Sequence, residues 1–361
     1  MDKLCCFKAS YSQLVAARSS SSTGKGKNHE GSIKYGFSLV KGKANHPMED
    51  YHVAKFAQIK DNELGLFAIY DGHLGDRVPA YLQKHLFTNI LREEEFWEDP
   101  TLSISKAYQS TDKEILSHSS DLGRGGSTAV TAILINGRRL WIANVGDSRA
   151  VLSRKGQAEQ MTTDHEPNME RGSIENRGGF VSNLPGDVPR VNGQLAVSRA
   201  FGDKSLKSHL RSDPDVQSTD IDVDTEILII ASDGLWKVMT NQDAVDIARR
   251  SKDPQKAAKQ LTAEALKRDS KDDISCVVVK FRFCGLRMFD YFLQKCDYSE
   301  SAVYCVFILH KTPSGCVKDE YASSYRLGYS ECKDDWSYSR LYSTFFDRRD
   351  MNPFSFVPFS K

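Results

Sequence analysis

The sequence predicts a mixed α+β domain, on three observations. Short apolar runs of strand length alternate with windows whose apolar residues recur at helical spacing. No low-complexity linker divides residues 31 to 282. Asn136-Gly137 stands between two apolar runs, a hairpin signal that makes at least part of the sheet antiparallel.

Strands are predicted, in chain order, over Tyr35–Val40, Leu64–Tyr70, Ala129–Ile135, Arg139–Val145, Ala150–Ser153, Glu226–Ala231 and Ile274–Phe281. Helices are predicted over Val78–Leu91 and Asp253–Arg268, and Asn241 or Asp253 can cap the segment after it. Flanking this domain are two different stretches. Residues 1–30 carry Ser19-Ser20-Ser21-Ser22 and Gly24-Lys25-Gly26-Lys27, too polar to bury a core of their own, and are expected to be a flexible arm. Residues 283–361 hold 18 of the 36 aromatic residues and five of the eight cysteines without keeping either hydrophobic period, and are expected to be an appendage dispensable for chemistry.

Composition excludes several classes. The 361 residues carry 49 Lys plus Arg against 48 Asp plus Glu, so a net charge of +1 offers no whole-chain attraction to nucleic acid or an anionic membrane. The longest apolar run, 302–309, is far short of the ~20 residues that span a bilayer. Only Cys276 lies between residues 7 and 283, and no Cys-x-x-Cys or Cys/His cluster suggests zinc, which points to a reducing compartment, cytoplasm or nucleus. Cys5-Cys6 could accept a lipid, but Asp2 stands where myristoylation needs glycine and no hydrophobic helix adjoins the pair, so anchoring is not expected.

Chemistry concentrates where strands meet acidic residues. Predicted strands lead into Asp71, Asp147 and Asp233, and Asp272-Asp273 precede the last strand. Strand ends are rigid mounts, and several carboxylates brought together make an oxygen cage suited to Mg²⁺ or Mn²⁺. Each Asp-Gly taken alone reads equally as a turn, Gly72 and Gly234 supplying backbone freedom.

Six motifs then occur in order: Pro47-Met48-Glu49-Asp50, Asp71-Gly72-His73, Gly126-Ser127-Thr128-Ala129, Gly146-Asp147-Ser148-Arg149, Ser232-Asp233-Gly234 and Lys271-Asp272-Asp273, with the run from Leu195 to Asp203 between the fourth and fifth. In these the chain resembles the metal-dependent type 2C protein phosphatases, most of all their short plant members, from about Tyr35 to Arg282. The resemblance implies a four-layer α-β-β-α sandwich, two packed antiparallel sheets flanked by helices. It implies hydrolysis of phosphoserine and phosphothreonine by water activated on two Mn²⁺ or Mg²⁺ ions, held by Glu49, Asp71, the Gly72 carbonyl, Asp233 and Asp272. His73, two residues past Asp71, is placed to protonate the leaving alkoxide.

Two departures qualify that expectation. Asn45 stands where many members carry a phosphate-binding arginine, so phosphate must rest mainly on the metals, helped by His46 or Lys43. Lys237 stands where many carry an aspartate for a third metal, and is expected to pair with Asp147, leaving Asp147 structural or a weak ligand. Arg199 and Asp203 are expected to hold loops near the site, and Gly178–Gly193 to be a flap beside it or a plain surface loop. Cys276 and Arg282 have the Cys-x5-Arg spacing of cysteine phosphatases, but Val277-Val278-Val279 between them make a strand without glycine, so Cys276 is assigned to the core. The expected partners are phosphoprotein substrates, with kinases as candidates, and the expected state is a monomer. The rival reading is a catalytically weak phosphatase fold that docks on kinases or phosphoproteins.

Overall fold

The computed structural model describes residues 21–43 and 45–282. The cysteine pair at 5 and 6 and the whole 283–361 stretch lie outside the described residues. In chain order the elements are β1 (Ser21–Lys27), β2 (Ile33–Val40), β3 (Tyr51–Ile59), β4 (Asn62–Tyr70), β5 (Gly72–His73), α1 (Arg77–Arg92), α2 (Pro100–Ser117), α3 (Ser119–Leu122), β6 (Gly126–Ser127), β7 (Ala129–Ile135), β8 (Arg139–Val145), β9 (Arg149–Arg154) and β10 (Gln157–Gln160). They continue with α4 (Arg171–Asn176), β11 (Val181–Ser182), β12 (Arg190–Val191), β13 (Phe201–Gly202), β14 (Asp215–Asp220), β15 (Thr225–Ala231), α5 (Asp233–Trp236), α6 (Asn241–Arg249), α7 (Pro254–Lys267) and β16 (Ile274–Phe281).

Two antiparallel sheets carry the domain. One has the order β1-β2-β16-β15-β9-β10, the other β14-β8-β7-β4-β3. Alternation along the strands sends one set of side chains inward and the other outward. Phe67, Ile69, Val130, Ala132 and Ile142 from the second sheet meet Ile33, Leu228, Ile230, Val277 and Val279 from the first, forming the core between the sheets. On the outer face of the five-stranded sheet, Leu82, Leu86 and Ile90 of α1 and Ile104 and Tyr108 of α2 pack on Leu66, Ala68 and Ile133. On the outer face of the six-stranded sheet, Val245 and Ala248 of α6 and Ala258 and Leu261 of α7 cover Ile227, Ile229, Cys276 and Val278. The result is the four-layer sandwich the resemblance implied.

Local signals explain most boundaries. Asp253 caps α7, accepting from the amides of Gln255 at 2.8 Å and Lys256 at 3.1 Å, with Pro254 as first helical residue. Asn241 is the first residue of α6 instead of its cap; Thr240 Oγ1 accepts the Asp243 amide there. The flexible arm expected over residues 1–30 does not hold for Ser21–Lys27, which forms an edge strand paired with β2 over its whole length. Its Gly-Lys composition hides it: in an edge strand one side of the ladder faces water, and Lys is the residue that keeps such an edge from pairing further. Among the described residues no helix is long and apolar enough to cross a membrane.

Candidate active site

The topology brings both sheets' acidic strand ends to one end of the sandwich. Asp71 follows β4, Asp147 links β8 to β9, Asp233 follows β15, and Asp272-Asp273 precede β16. The Asp71 peptide is locked by a reciprocal pair: its carbonyl accepts the Thr128 amide at 2.9 Å, and its amide donates to Thr128 Oγ1, which also bonds Ser148 Oγ. Thus the Gly-Ser-Thr-Ala motif braces β4, and through Ser148 the loop bearing Asp147.

Electrostatics shows what this arrangement costs. Enclosure raises the Asp71 carboxyl well above the usual carboxylate range, and the charges of Asp50, Asp233, Asp147 and Asp272 raise it further. Burial and Asp233 do the same to Asp147, opposed by Lys237. Asp50 is pushed up to about 8, first by burial, while the Ser232 hydroxyl, donating to its Oδ2 at 2.9 Å, opposes the shift and Asp273 and Asp233 add to it. Asp50 Oδ1 and Asp233 Oδ1 are buried without a hydrogen-bond partner. Five carboxylates that repel one another, with oxygens left unpaired, form a cluster that calls for a positive counterpart.

Lys237 supplies part of that counterpart. Its ammonium touches Asp233 Oδ2 and lies 3.2 Å from Asp272 Oδ2. Burial works against its charge, yet these two carboxylates outweigh burial and hold its pKa above the ordinary lysine range. The expected partner, Asp147, is not the one it contacts, because the side chain starts one helical turn after Asp233 and reaches back along α5.

Donor chemistry fits a hard divalent cation: the cluster offers oxygen alone, from carboxylates at the ends of rigid strands. As the side chains stand, no three His, Cys, Asp or Glu groups among the described residues converge on one ion position. An ion between Asp233 and Asp272 has to displace the Lys237 ammonium. Glu49 stands slightly apart, its Oε1 accepting the Gly75 amide at 2.7 Å and its Oε2 3.8 Å from His46 Nδ1. Asp273 fixes that loop, accepting the Gly42 amide at 2.8 Å and the Glu49 amide at 2.9 Å.

His73 has a defined partner. Its Nε2 bonds Asp203 Oδ2 at 2.7 Å, and Asp203 is buried. Nδ1 has no partner among the described residues. Asp203 reaches the ring only because residue 126 is glycine: a Cβ there would stand 2.0 Å from Asp203 Oδ2. So one expected loop-holding residue, Asp203, belongs to the histidine itself. Arg199 does hold a loop: it is bonded to Glu170, Asp215 Oδ1 and the Asp213 carbonyl, while His165 bridges from Asp215 at 3.0 Å to the Gly146 amide at 3.0 Å.

The glycines of the two Asp-Gly pairs are not turn residues. Gly72 lies in β5 and Gly234 in α5, neither with positive φ. A Cβ on Gly234 would fall 2.0 Å from the Asp273 carbonyl oxygen, so the glycine lets the two acidic segments touch. Of the expected phosphate contacts, Lys43 is engaged with Asp269 and His46 Nδ1 lies 2.8 Å from the Pro47 carbonyl, while Asn45 is exposed. The 178–193 stretch contains the β11-β12 hairpin with Phe180 and Leu184 exposed. Cys276 is buried, its thiol pushed up to about 12, in keeping with a core residue. Sequence reasoning assigns Asp50 no role, although it adjoins Glu49 in the first motif; alternation along a strand start would put the two on different faces, and only the fold shows Asp50 turned toward Asp233 and Ser232.

Known proteins agree with this architecture. A family model described as Protein phosphatase 2C matches residues 35–274. Probable protein phosphatase 2C 10 of Arabidopsis thaliana is 75% identical over 282 residues, 78% of this chain and all of that protein. Probable protein phosphatase 2C 41 of Oryza sativa subsp. japonica is 69% identical over 284 residues, again 78% of this chain and its own full length. Among solved structures, a serine-threonine phosphatase 2C from Toxoplasma gondii superposes with a TM-score of 0.61 at 22% identity, over 72% of this chain and 99% of its own. A sex-determining protein of C. elegans gives 0.64 at 24% identity, over 72% and 67%. The fold, the ordered motifs and these relatives together place the chain in the protein phosphatase 2C family, as a plant-type protein serine/threonine phosphatase.

Proposed function

We propose that this chain hydrolyses phosphoserine and phosphothreonine at the carboxylate cluster with two divalent cations bound there, the family being generally Mn²⁺ or Mg²⁺ dependent. The observation that carries the reading is the gathering of Asp71, Asp147, Asp233 and Asp272 from both sheets at one end of the sandwich, with Lys237 offsetting only part of their mutual repulsion. Asp71, the Gly72 carbonyl, Asp233 and Asp272 would hold the ions, with Glu49 and Asp50 beside them and Asp147 as a weaker neighbour. When bound, such a pair lowers the pKa of a water and neutralises phosphoryl charge.

The chain's own groups do the rest. Asp203 orients the His73 ring through Nε2, which leaves Nδ1 as the atom that hands a proton to the departing serine or threonine oxygen. Without an arginine at Asn45 there is no bidentate clamp on the phosphate, so ground-state binding of substrate is weak. Retention of the His73–Asp203 pair disfavours the binding-only alternative, since docking needs no proton donor. The test is Mn²⁺ binding by calorimetry beside turnover of a phosphopeptide with and without chelator. Turnover unaffected by exhaustive chelation overturns the proposal.

A further inference from the structure

At the other end of the six-stranded sheet lies a second charged feature, of opposite sign. Register pairs Lys27 of β1 with Lys34 of β2, and Lys34 with Lys280 of β16. Directly paired residues project from the same face, so three ammonium-bearing side chains stand in one row across three adjacent strands, spaced by the ~4.8 Å between strands. Like charges placed directly opposite destabilise a sheet. Edge protection accounts for Lys25 and Lys27, which lie on the edge strand β1, but not for Lys34 and Lys280 on interior strands.

The row is open because helix α7 stops short of it. The helix begins at Pro254, against Gly36, where a Cβ would stand 2.2 Å from the Gln255 amide nitrogen. Beyond that point no described residue covers the outer face of β1, β2 and β16, which forms a groove of about 450 Å³ whose walls include Lys25, Lys27, Lys34, Lys252 and Arg282. A smaller groove of about 210 Å³ adjoins it, lined by Lys280 and Arg249 and sharing Lys252 and Arg282. The carboxylates facing this surface are already engaged: Asp253 with Lys25 at 3.0 Å, Glu226 with Arg249 at 2.8 Å. Lys27, Lys34 and Lys252 have no ion-pair partner among the described residues. Lys280 is held by the Ala248 carbonyl at 2.7 Å and that of Ser251; burial, then Arg282 and Arg249, bring its pKa down to about 8 despite Glu226 and Asp253.

We propose that this lysine row and its rim form a docking groove for an extended acidic peptide segment of a protein partner. An extended strand projects alternate side chains toward one face, ~6.6 Å apart, which lets two acidic groups answer Lys27 and Lys34 while others reach Lys252 and Arg282. The groove is bounded by the first turn of α7 at Asp253 and Pro254. β16 runs from Ile274, beside the acidic cluster, to Phe281, beside the groove, seven steps or ~23 Å. Docking there leaves the catalytic end free.

The test uses the full chain and a fluorescein-labelled decaglutamate peptide, read by anisotropy at about 50 and about 300 mM salt, which shortens the screening length. Binding should weaken with salt, and Lys34→Glu/Lys252→Glu should weaken it at least tenfold while hydrolysis of an aryl phosphate is unchanged. Lys34→Gln gives a second signature: it should lower peptide affinity yet raise the unfolding temperature, because the like-charge row is relieved. Absence of salt-dependent peptide binding, affinity unmoved by both variants, or capture by phosphatidylserine vesicles in preference to the peptide would overturn the proposal. Loss of aryl phosphate turnover in the unaltered chain would instead count against the catalytic reading and leave the groove standing.

Discussion

Replacing Lys237 by methionine removes one charge and keeps an unbranched side chain. In the structure that charge serves two carboxylates, Asp233 by contact and Asp272 at 3.2 Å. At an effective dielectric of 20 a pair at this distance is worth about 5 kcal/mol, but Lys237 is 55% exposed and Asp272 40%, and exposed pairs measure well under that. A loss of about 1 to 1.5 kcal/mol is the reasonable sum. For a domain of this size it lowers the unfolding temperature of metal-free protein by roughly 2–6 °C. The same contact must break when an ion takes its place, so its removal should tighten Mn²⁺ binding by a similar free energy, about tenfold. Thermal unfolding in chelator and calorimetric Mn²⁺ titration read the two effects separately, and at saturating Mn²⁺ the difference in unfolding temperature should close. An unchanged metal-free unfolding temperature together with unchanged or weaker Mn²⁺ affinity would refute the idea that Lys237 stands in for a cation.

Two further outcomes are expected. His73→Ala should cost ~10² to 10⁴-fold on phosphopeptides and much less on aryl phosphates, whose leaving group needs no proton, and Asp203→Asn should show the same substrate dependence more mildly; equal losses on both substrates would remove the pair from proton transfer. His52 lies against Phe37 with ring centroids 4.0 Å apart and the planes tilted by 40°, and burial lowers its pKa to about 4. A histidine depressed on folding leaves stability intact above the unfolded value of ~6.5 and takes it away as pH falls toward 4, at most about 3 kcal/mol here, so His52→Phe should flatten the acid limb of the stability curve between pH 6.5 and 4.

The legible and illegible parts of this chain divide along physical lines. Strands buried on both faces announce themselves: Ala129–Ile135, Arg139–Val145 and Ile274–Phe281 have the bounds their apolar runs suggest. Edge strands do not, since one flank meets water and their residues are mixed, which hid β1, β3 with His52, Lys55 and Gln58, and the polar β14. Helix α2 was missed although Asp99-Pro100 marks its start, the Asp99 side chain accepting the Leu102 amide. Acidic residues at strand ends were readable because each ended an apolar run. The pairing of His73 with Asp203, 130 positions apart, and the direction of Lys237 depended on how the chain closes on itself, which no local pattern encodes.

The acidic centre draws one part of its donors from each sheet: Asp71 from the strand ends of one, Asp233 and Asp272 from those of the other. Residues such as Ile69, Val130, Leu228 and Val277 therefore act as a spacer gauge, setting how far apart the two groups of oxygens stand. Interiors transmit strain and do not absorb it. A methylene added or removed midway between the sheets is then felt as a change in the span that the proposed cations would bridge, so substitutions that never approach the cleft would alter metal preference. The outer helical layers have no such leverage, and that difference lets the two faces of the sandwich diverge while the gap between its sheets is held to a narrow tolerance.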